Sequence, residues 1–154
     1  MEVIFHMTPN GNPKQRSWDK FPVLAEYLVD AYDATIVVVG SVRDTDYVNA
    51  FLEETRRIHA NTVNLCGNTN LDELKRVLQT CSLLVCVNSF VMHLGVALGV
   101  PLFAIVGATE PKVVLPPGMP CAFSLYASDI SLETIIEGIK TIIGIPSGFL
   151  GENR

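Results

Sequence analysis

Three short runs of unbroken apolar character constrain this chain more than anything else in it: TIVVVG (Thr35 to Gly40), LLVCV (Leu83 to Val87) and LFAIV (Leu102 to Val106). A strand with one face in water alternates apolar and polar residues. A strand that is apolar throughout belongs in a parallel sheet covered on both faces. Between these runs lie segments with helical spacing, such as Asp44 to His59, where Val48, Phe51, Leu52 and Ile58 recur on one side. The expected order is strand, helix, strand along the whole chain. VIFHM (Val3 to Met7), TVNLCG (Thr62 to Gly67) and CAFSLY (Cys121 to Tyr126) complete a set of six strands.

The helices between them have local start and stop signals. Asp19 to Tyr32 tolerates Pro22 in its first turn. Asn70 followed by Glu73 has the spacing of a capping box, so a helix is expected from there to about Thr80. Ser89 opens a helix that runs to Leu98. Gly99 is its stop, with Pro101 two residues later. Ser131 caps a final helix to about Ile143. Alternation of this kind implies βαβ units with right-handed crossovers. The predicted fold class is α/β: a Rossmann-like three-layer sandwich around a doubly wound, mostly parallel six-stranded sheet. Its usual strand order, 3-2-1-4-5-6, reverses between the first and fourth strands, and ligands bind there at the carboxyl ends.

Composition narrows the function. The 154 residues are 49% hydrophobic and 18% charged, with a formal net charge of -5. That suits one globular domain with a substantial core. No basic stripe occurs, which argues against a nucleic-acid partner. MEVIFHM has no basic n-region, so it does not read as a signal peptide. Gly95, Gly99, Pro101 and His93 interrupt the apolar stretch from Phe90 to Gly107, so it does not read as a transmembrane segment. Cys66, Cys81, Cys86 and Cys121 form no CxxC pair and read as buried free thiols of a cytoplasmic protein. His6, His59 and His93 show no metal-ligand spacing. Neither GxGxxG nor GxxxxGK[ST] is present, and no GxSxG occurs.

The polar group that stands out is Asn88-Ser89 with His93, placed between the two most apolar strands. Ser89 lies where free backbone N–H groups and the helix dipole suit an anionic phosphate. His93 follows four residues later and shares that helix face. Val91, Leu94 and Leu98 are expected on the opposite, core-facing side. Across the crevice the fold would bring the loop TPNGNPKQR, after the first strand. Each element has a plainer reading. Ser89 then serves solely as a cap, His93 as a hydrogen-bonded core residue, and Lys14, Arg16 and Lys20 as a solvated face. GNTN (Gly67 to Asn70) reaches toward the crevice or is turn and cap alone. GATEP (Gly107 to Pro111) has the same two readings. Trp18 stacks on a ring or packs in the core.

These blocks resemble the C-terminal, donor-binding half of glycosyltransferase family 9, the ADP-heptose:lipopolysaccharide heptosyltransferases. The likeness covers nearly the whole chain. It rests on VIFHM followed by TPNGNPKQR and Arg16-Ser17-Trp18, and on IVVVG. It rests also on Leu65-x-Gly67-x-Thr69-x-Leu71-x-Glu73-Leu74, and above all on Asn88-Ser89-Phe90-x-x-His93-Leu94 with Ala97, Gly99, Pro101 and Gly107-x-Thr109-x-Pro111. The resemblance implies one half of a GT-B fold that binds a nucleotide-diphosphate sugar, such as ADP-heptose, for lipopolysaccharide biosynthesis. The implied donor-binding residues are Gly11, Asn12, Arg16, Thr69, Asn88, Ser89 and His93. No metal or other cofactor is implied. The family's general base lies in the acceptor-binding half, so no catalytic residue is assigned here. An acceptor-binding domain or subunit is the implied partner.

Two positions depart from the family pattern. Asn88 stands where the family has Asp, and Phe90 where it has Gly. A benzyl group at that point narrows the pocket or stacks on a ligand. Two other functions are compatible with the same residues. One is a non-catalytic module that binds another phosphorylated ligand or serves in assembly. The other is a nucleotide-sugar hydrolase, against which stands the lack of any visible acid–base pair.

Overall fold

In the computed structural model, which describes residues 1–9, 18–107 and 110–146, six strands form one sheet. They are β1 (Glu2–His6), β2 (Thr35–Val38), β3 (Thr62–Asn64), β4 (Leu83–Val87), β5 (Leu102–Gly107) and β6 (Cys121–Ser124). Their order is β3-β2-β1-β4-β5-β6, and every pairing is parallel. The helices are α1 (Phe21–Tyr32), α2 (Thr45–Glu54), α3 (Leu71–Thr80), α4 (Phe90–Leu98), the short α5 (Pro111–Val114) and α6 (Leu132–Ile143).

The apolar strands are covered on both sides, as their composition requires. Successive residues of β4 alternate between two cores. Leu83, Val85 and Val87 join Phe5, Phe21, Leu24, Phe51, Ile135 and Ile139 under α1, α2 and α6. Leu84 and Cys86 join Ile4, Leu78, Val91, Met92 and Leu115 under α3, α4 and α5. This period of two, with both faces buried, explains why β4 shows no polar residue at all. The chain is therefore the predicted three-layer, doubly wound sandwich, with its reversal between β1 and β4.

Most predicted boundaries hold to within two residues, and the exceptions have local causes. The expected helix from Asp44 to His59 is divided. A 3-10 turn, Val42–Asp44, precedes α2, and a second, Arg56–Asn61, follows it. The buried Thr55 hydroxyl donates to the Phe51 carbonyl at 3.0 Å, taking up a group of the helix's last turn. Strand β3 is shorter than TVNLCG because it is an edge strand. Pairing with the β2 side continues as single bonds, from Leu65 N–H to the Val38 carbonyl at 2.9 Å and from Gly67 N–H to the Gly40 carbonyl at 2.8 Å. Strand β6 stops at Ser124, where its partner β5 ends at Gly107.

Helix starts and stops follow the expected chemistry. The Asn70 side chain accepts from Glu73 N–H at 2.8 Å, and Glu73 accepts from Asn70 N–H at 3.1 Å. Gly99 ends α4 in the left-handed region, with φ 68°. On α4 the buried positions are Val91, Met92 and Gly95, while Leu94 and Leu98 are half-buried. All three predicted residues, Val91, Leu94 and Leu98, pack in or against the core, and Met92 and Gly95 widen the buried face. Gly95 sits against Leu84, and a Cβ there would meet its Cδ2 at 2.7 Å. Trp18 is core: it is fully buried, its indole donates to the Ile130 carbonyl at 2.9 Å, and its ring meets Phe21 edge-on. Cys66, Cys81 and Cys86 are buried and Cys121 is half-buried, all as free thiols.

Helix α6 rests on β5 through Gly138, where a Cβ would overlap the ring of buried Phe103. A Gly138→Ala substitution adds helix propensity but forces that ring or the helix to move. We expect a net loss of about 1–2 kcal/mol, from an overpacking cost of about 1–3. Thermal unfolding checks it: Tm should fall by several degrees, at about 2–4 °C per kcal/mol for a chain of this size.

Candidate functional site

The carboxyl ends of β1 to β4 open on one cleft of about 470 Å³, lined by His6, Gly40, Ser41, Asp44, Thr69, Asn70, Leu71, Leu74, Ser89, Phe90 and Val91. Every polar contributor comes from a strand end or the segment following one. His6 ends β1, and Gly40, Ser41 and Asp44 follow β2. Thr69 and Asn70 follow β3, and Ser89 follows β4. A parallel sheet buried on both faces has nowhere else to present polar groups from four strands together. The loop after β3 is tied to the loop after β2 by the Gly67–Gly40 bond and by the Cys66 thiol, which donates to the Ser41 carbonyl at 3.2 Å. These ties set Thr69 beside Ser41.

The centre of the site is a buried polar chain. The Ser89 hydroxyl caps α4 by accepting from Met92 N–H at 3.3 Å. It also lies 3.0 Å from His6 Nδ1. On the other side of the ring, His6 Nε2 is 3.9 Å from Asp44 Oδ2. A carboxylate facing Nε2 favours the proton on that nitrogen, so Nδ1 accepts from the Ser89 hydroxyl. Asp44 is 1% exposed. Its Oδ2 accepts from Ser41 N–H at 2.8 Å, and Oδ1 has no hydrogen-bond partner among the described residues.

This Ser–His–Asp order raises the possibility of an activated nucleophile, and its energetics argue otherwise. A general base must be stable when protonated. Burial outweighs the attraction of Asp44 and pushes the His6 imidazole down to about 4. The separation of 3.9 Å between Nε2 and Asp44 is also too long for the orienting hydrogen bond of a triad. His6 is neutral at physiological pH and serves to orient the Ser89 hydroxyl. Among the described residues no group of three His, Cys, Asp or Glu side chains is placed to hold a metal ion.

Of the residues singled out from the sequence, Thr69 and Ser89 meet in this cleft. Asn88 is half-buried beside Ser89 but does not line it, and His93 is exposed one turn along α4. His93 is therefore not a core residue. Gly11, Asn12, Arg16 and Lys14 lie outside the described residues, as does Thr109. Lys20 is held at the surface, where its ammonium donates to Asp19 Oδ1 and to the Ser128 carbonyl, each at 3.1 Å.

His6 and Asp44 were missed. The available signals were weak: a polar residue closing the first apolar strand, and an acid four residues after the Gly that ends the second. Neither predicts that the two meet, since their contact depends on β1 pairing with β2.

His6 links the site to pH. The unfolded imidazole titrates near 6.5 and the folded one near 4, so the unfolded chain binds more protons between these values. Stability is complete above pH 6.5 and is lost as pH falls toward 4, by roughly 3 kcal/mol for a shift of this size. Denaturant unfolding at stepped pH should show this slope in the wild type, and His6→Gln should flatten it. An equal slope in both would assign the effect to other groups.

Comparison with known proteins agrees with this architecture. The sequence profile described as glycosyltransferase family 9 (heptosyltransferase) matches residues 2–121. Lipooligosaccharide heptosyltransferase 2 of Haemophilus influenzae is 34% identical over 97 residues, which are 60% of this chain and 27% of that enzyme. The structure of E. coli ADP-heptose lps heptosyltransferase II superimposes with a TM-score of 0.79 at 23% identity, over 99% of this chain and 47% of that one. A family 9 glycosyl transferase from Veillonella parvula gives a TM-score of 0.78 at 21% identity, over 93% and 46% of the two chains. The chain thus spans about half the length of the solved structures it matches, and by its sequence profile it belongs to glycosyltransferase family 9.

Proposed function

We propose that this chain supplies the donor-binding half of a heptosyltransferase-like glycosyltransferase and holds a nucleotide-diphosphate sugar in the cleft above β1 to β4. The observation that carries this is Ser89: a buried hydroxyl, oriented by His6, at the start of α4 and in the wall of the cleft. The first-turn amides of a helix have no carbonyl within it to bond, and its dipole favours an anion there. The donor diphosphate is assigned to this end, with Arg16 as its countercharge.

Across the His6 ring from Ser89 lies a carboxylate, Asp44, and the described lining as a whole carries no Lys or Arg. A phosphate placed there would be repelled, whereas hydroxyl groups would be welcome. Thr69 and Asn70 add further hydrogen-bonding capacity on that side. A nucleotide sugar, with anionic and polyol portions, matches this division. Asn88 and His93 adjoin the cleft without lining it, so in this reading their contacts with the donor are secondary.

Glycosyl transfer also needs a base for the acceptor hydroxyl and stabilisation of the departing nucleotide diphosphate. The cleft answers the second need. The base and the acceptor are assigned to a second domain or subunit, and the whole reaction to the cytoplasm. No helix among the described residues is long and apolar enough to cross a membrane.

Thermal shift with ADP- and UDP-sugars tests the binding. Ligand at a hundredfold excess over Kd should stabilise the chain by about 2.7 kcal/mol. Ser89→Ala should weaken or abolish that shift, at a cost of about 1–2 kcal/mol in stability from the lost cap. A folded wild-type chain whose Tm does not move at millimolar nucleotide sugar would refute the assignment.

A further inference from the structure

Phe90 is 62% exposed at the first position of α4, and Leu71 is 49% exposed at the first position of α3. Both line the same cleft. Neither exposure follows from folding requirements. The buried face of α4 is supplied by Val91, Met92 and Gly95, so Phe90 adds nothing to the core. An aromatic residue is also a mediocre helix former. Two large apolar side chains left in water at the starts of neighbouring helices, beside a polar floor, mark a ligand wall. We propose that Phe90 is a ligand-binding residue of this site, providing a shelf on which a planar heteroaromatic ring stacks, with Leu71 as the second apolar wall.

The polar part of the cleft selects the ligand class. A lipid chain or an apolar peptide would set hydrocarbon against the accessible hydrogen-bonding groups of the lining, Ser41, Thr69 and Asn70. A nucleotide presents a flat ring to Phe90 and hydroxyl and phosphate groups to the floor. Stacking tolerates any base, because each has a π-face. This inference rests on the nucleotide-sugar assignment above and deepens it: it states which side chain holds the ring. Of the two roles open to a benzyl group here, it assigns the platform rather than the plug.

Calorimetric titration separates these roles. The probes are ADP, UDP and inorganic diphosphate, and the variants are Phe90→Ala and Phe90→Trp. Because Phe90 is mostly in water, both variants should keep a Tm close to the wild type's. With whichever nucleotide binds the wild type more tightly, Phe90→Ala should raise Kd by about fivefold or more, the scale of base–aromatic stacking. Phe90→Trp should retain the affinity, and the Kd for inorganic diphosphate should not change. Nucleotide binding unchanged or tightened in Phe90→Ala would overturn the shelf and leave the nucleotide assignment standing. A folded wild type that binds neither nucleotide nor nucleotide sugar would overturn both.

Discussion

Burial of a parallel sheet on both faces governs the rest of this molecule. Strands β4 and β5 have no face toward water, so polar side chains cannot be carried within them. They collect where the strands end. Because all six strands are parallel, four strand ends and the segments after them converge on one edge. The cleft is a consequence of that arrangement, and its lining alternates between what the strands expel and what the helix starts offer. The reversal of order at β1 and β4 then sets His6 next to Ser89, 83 positions apart in the chain.

The same burial sets the chemistry of the centre. His6 and Asp44 are close enough to interact but too far apart to share a good hydrogen bond. Desolvation wins over their attraction and keeps the imidazole neutral. A neutral ring can accept from the Ser89 hydroxyl, which a protonated ring, a donor at both nitrogens, could not do. The arrangement favours positioning over proton transfer. It also leaves one buried carboxylate oxygen of Asp44 without a partner among the described residues, a costly feature of the fold.

Membership of glycosyltransferase family 9 accounts for the fold and for most of the polar blocks. It does not account for Phe90, which stands where the family pattern carries glycine. That single replacement changes the character of the helix start from bare backbone to an aromatic surface. With Leu71 it gives the cleft two exposed apolar side chains beside its polar groups.

Much of this was legible from local patterns. Continuous apolar runs announced a doubly covered sheet, and alternation with helical periods announced βαβ crossovers. The Asn70–Glu73 box, Ser89 and Gly99 marked helix ends whose bonds close within a few residues. Ser89 was identifiable because the fold class says where strand ends go, and Thr69 because the family resemblance singles it out. His6 and Asp44 were not, because their meaning lies in contacts between strands and loops distant in sequence. The burial of Met92 beside Val91 on α4 depended on how closely Gly95 could approach Leu84. Periodicity names the residues that share a helix face, since it is a property of one segment. Which face turns inward, and which buried groups meet, is decided only when the segments pack.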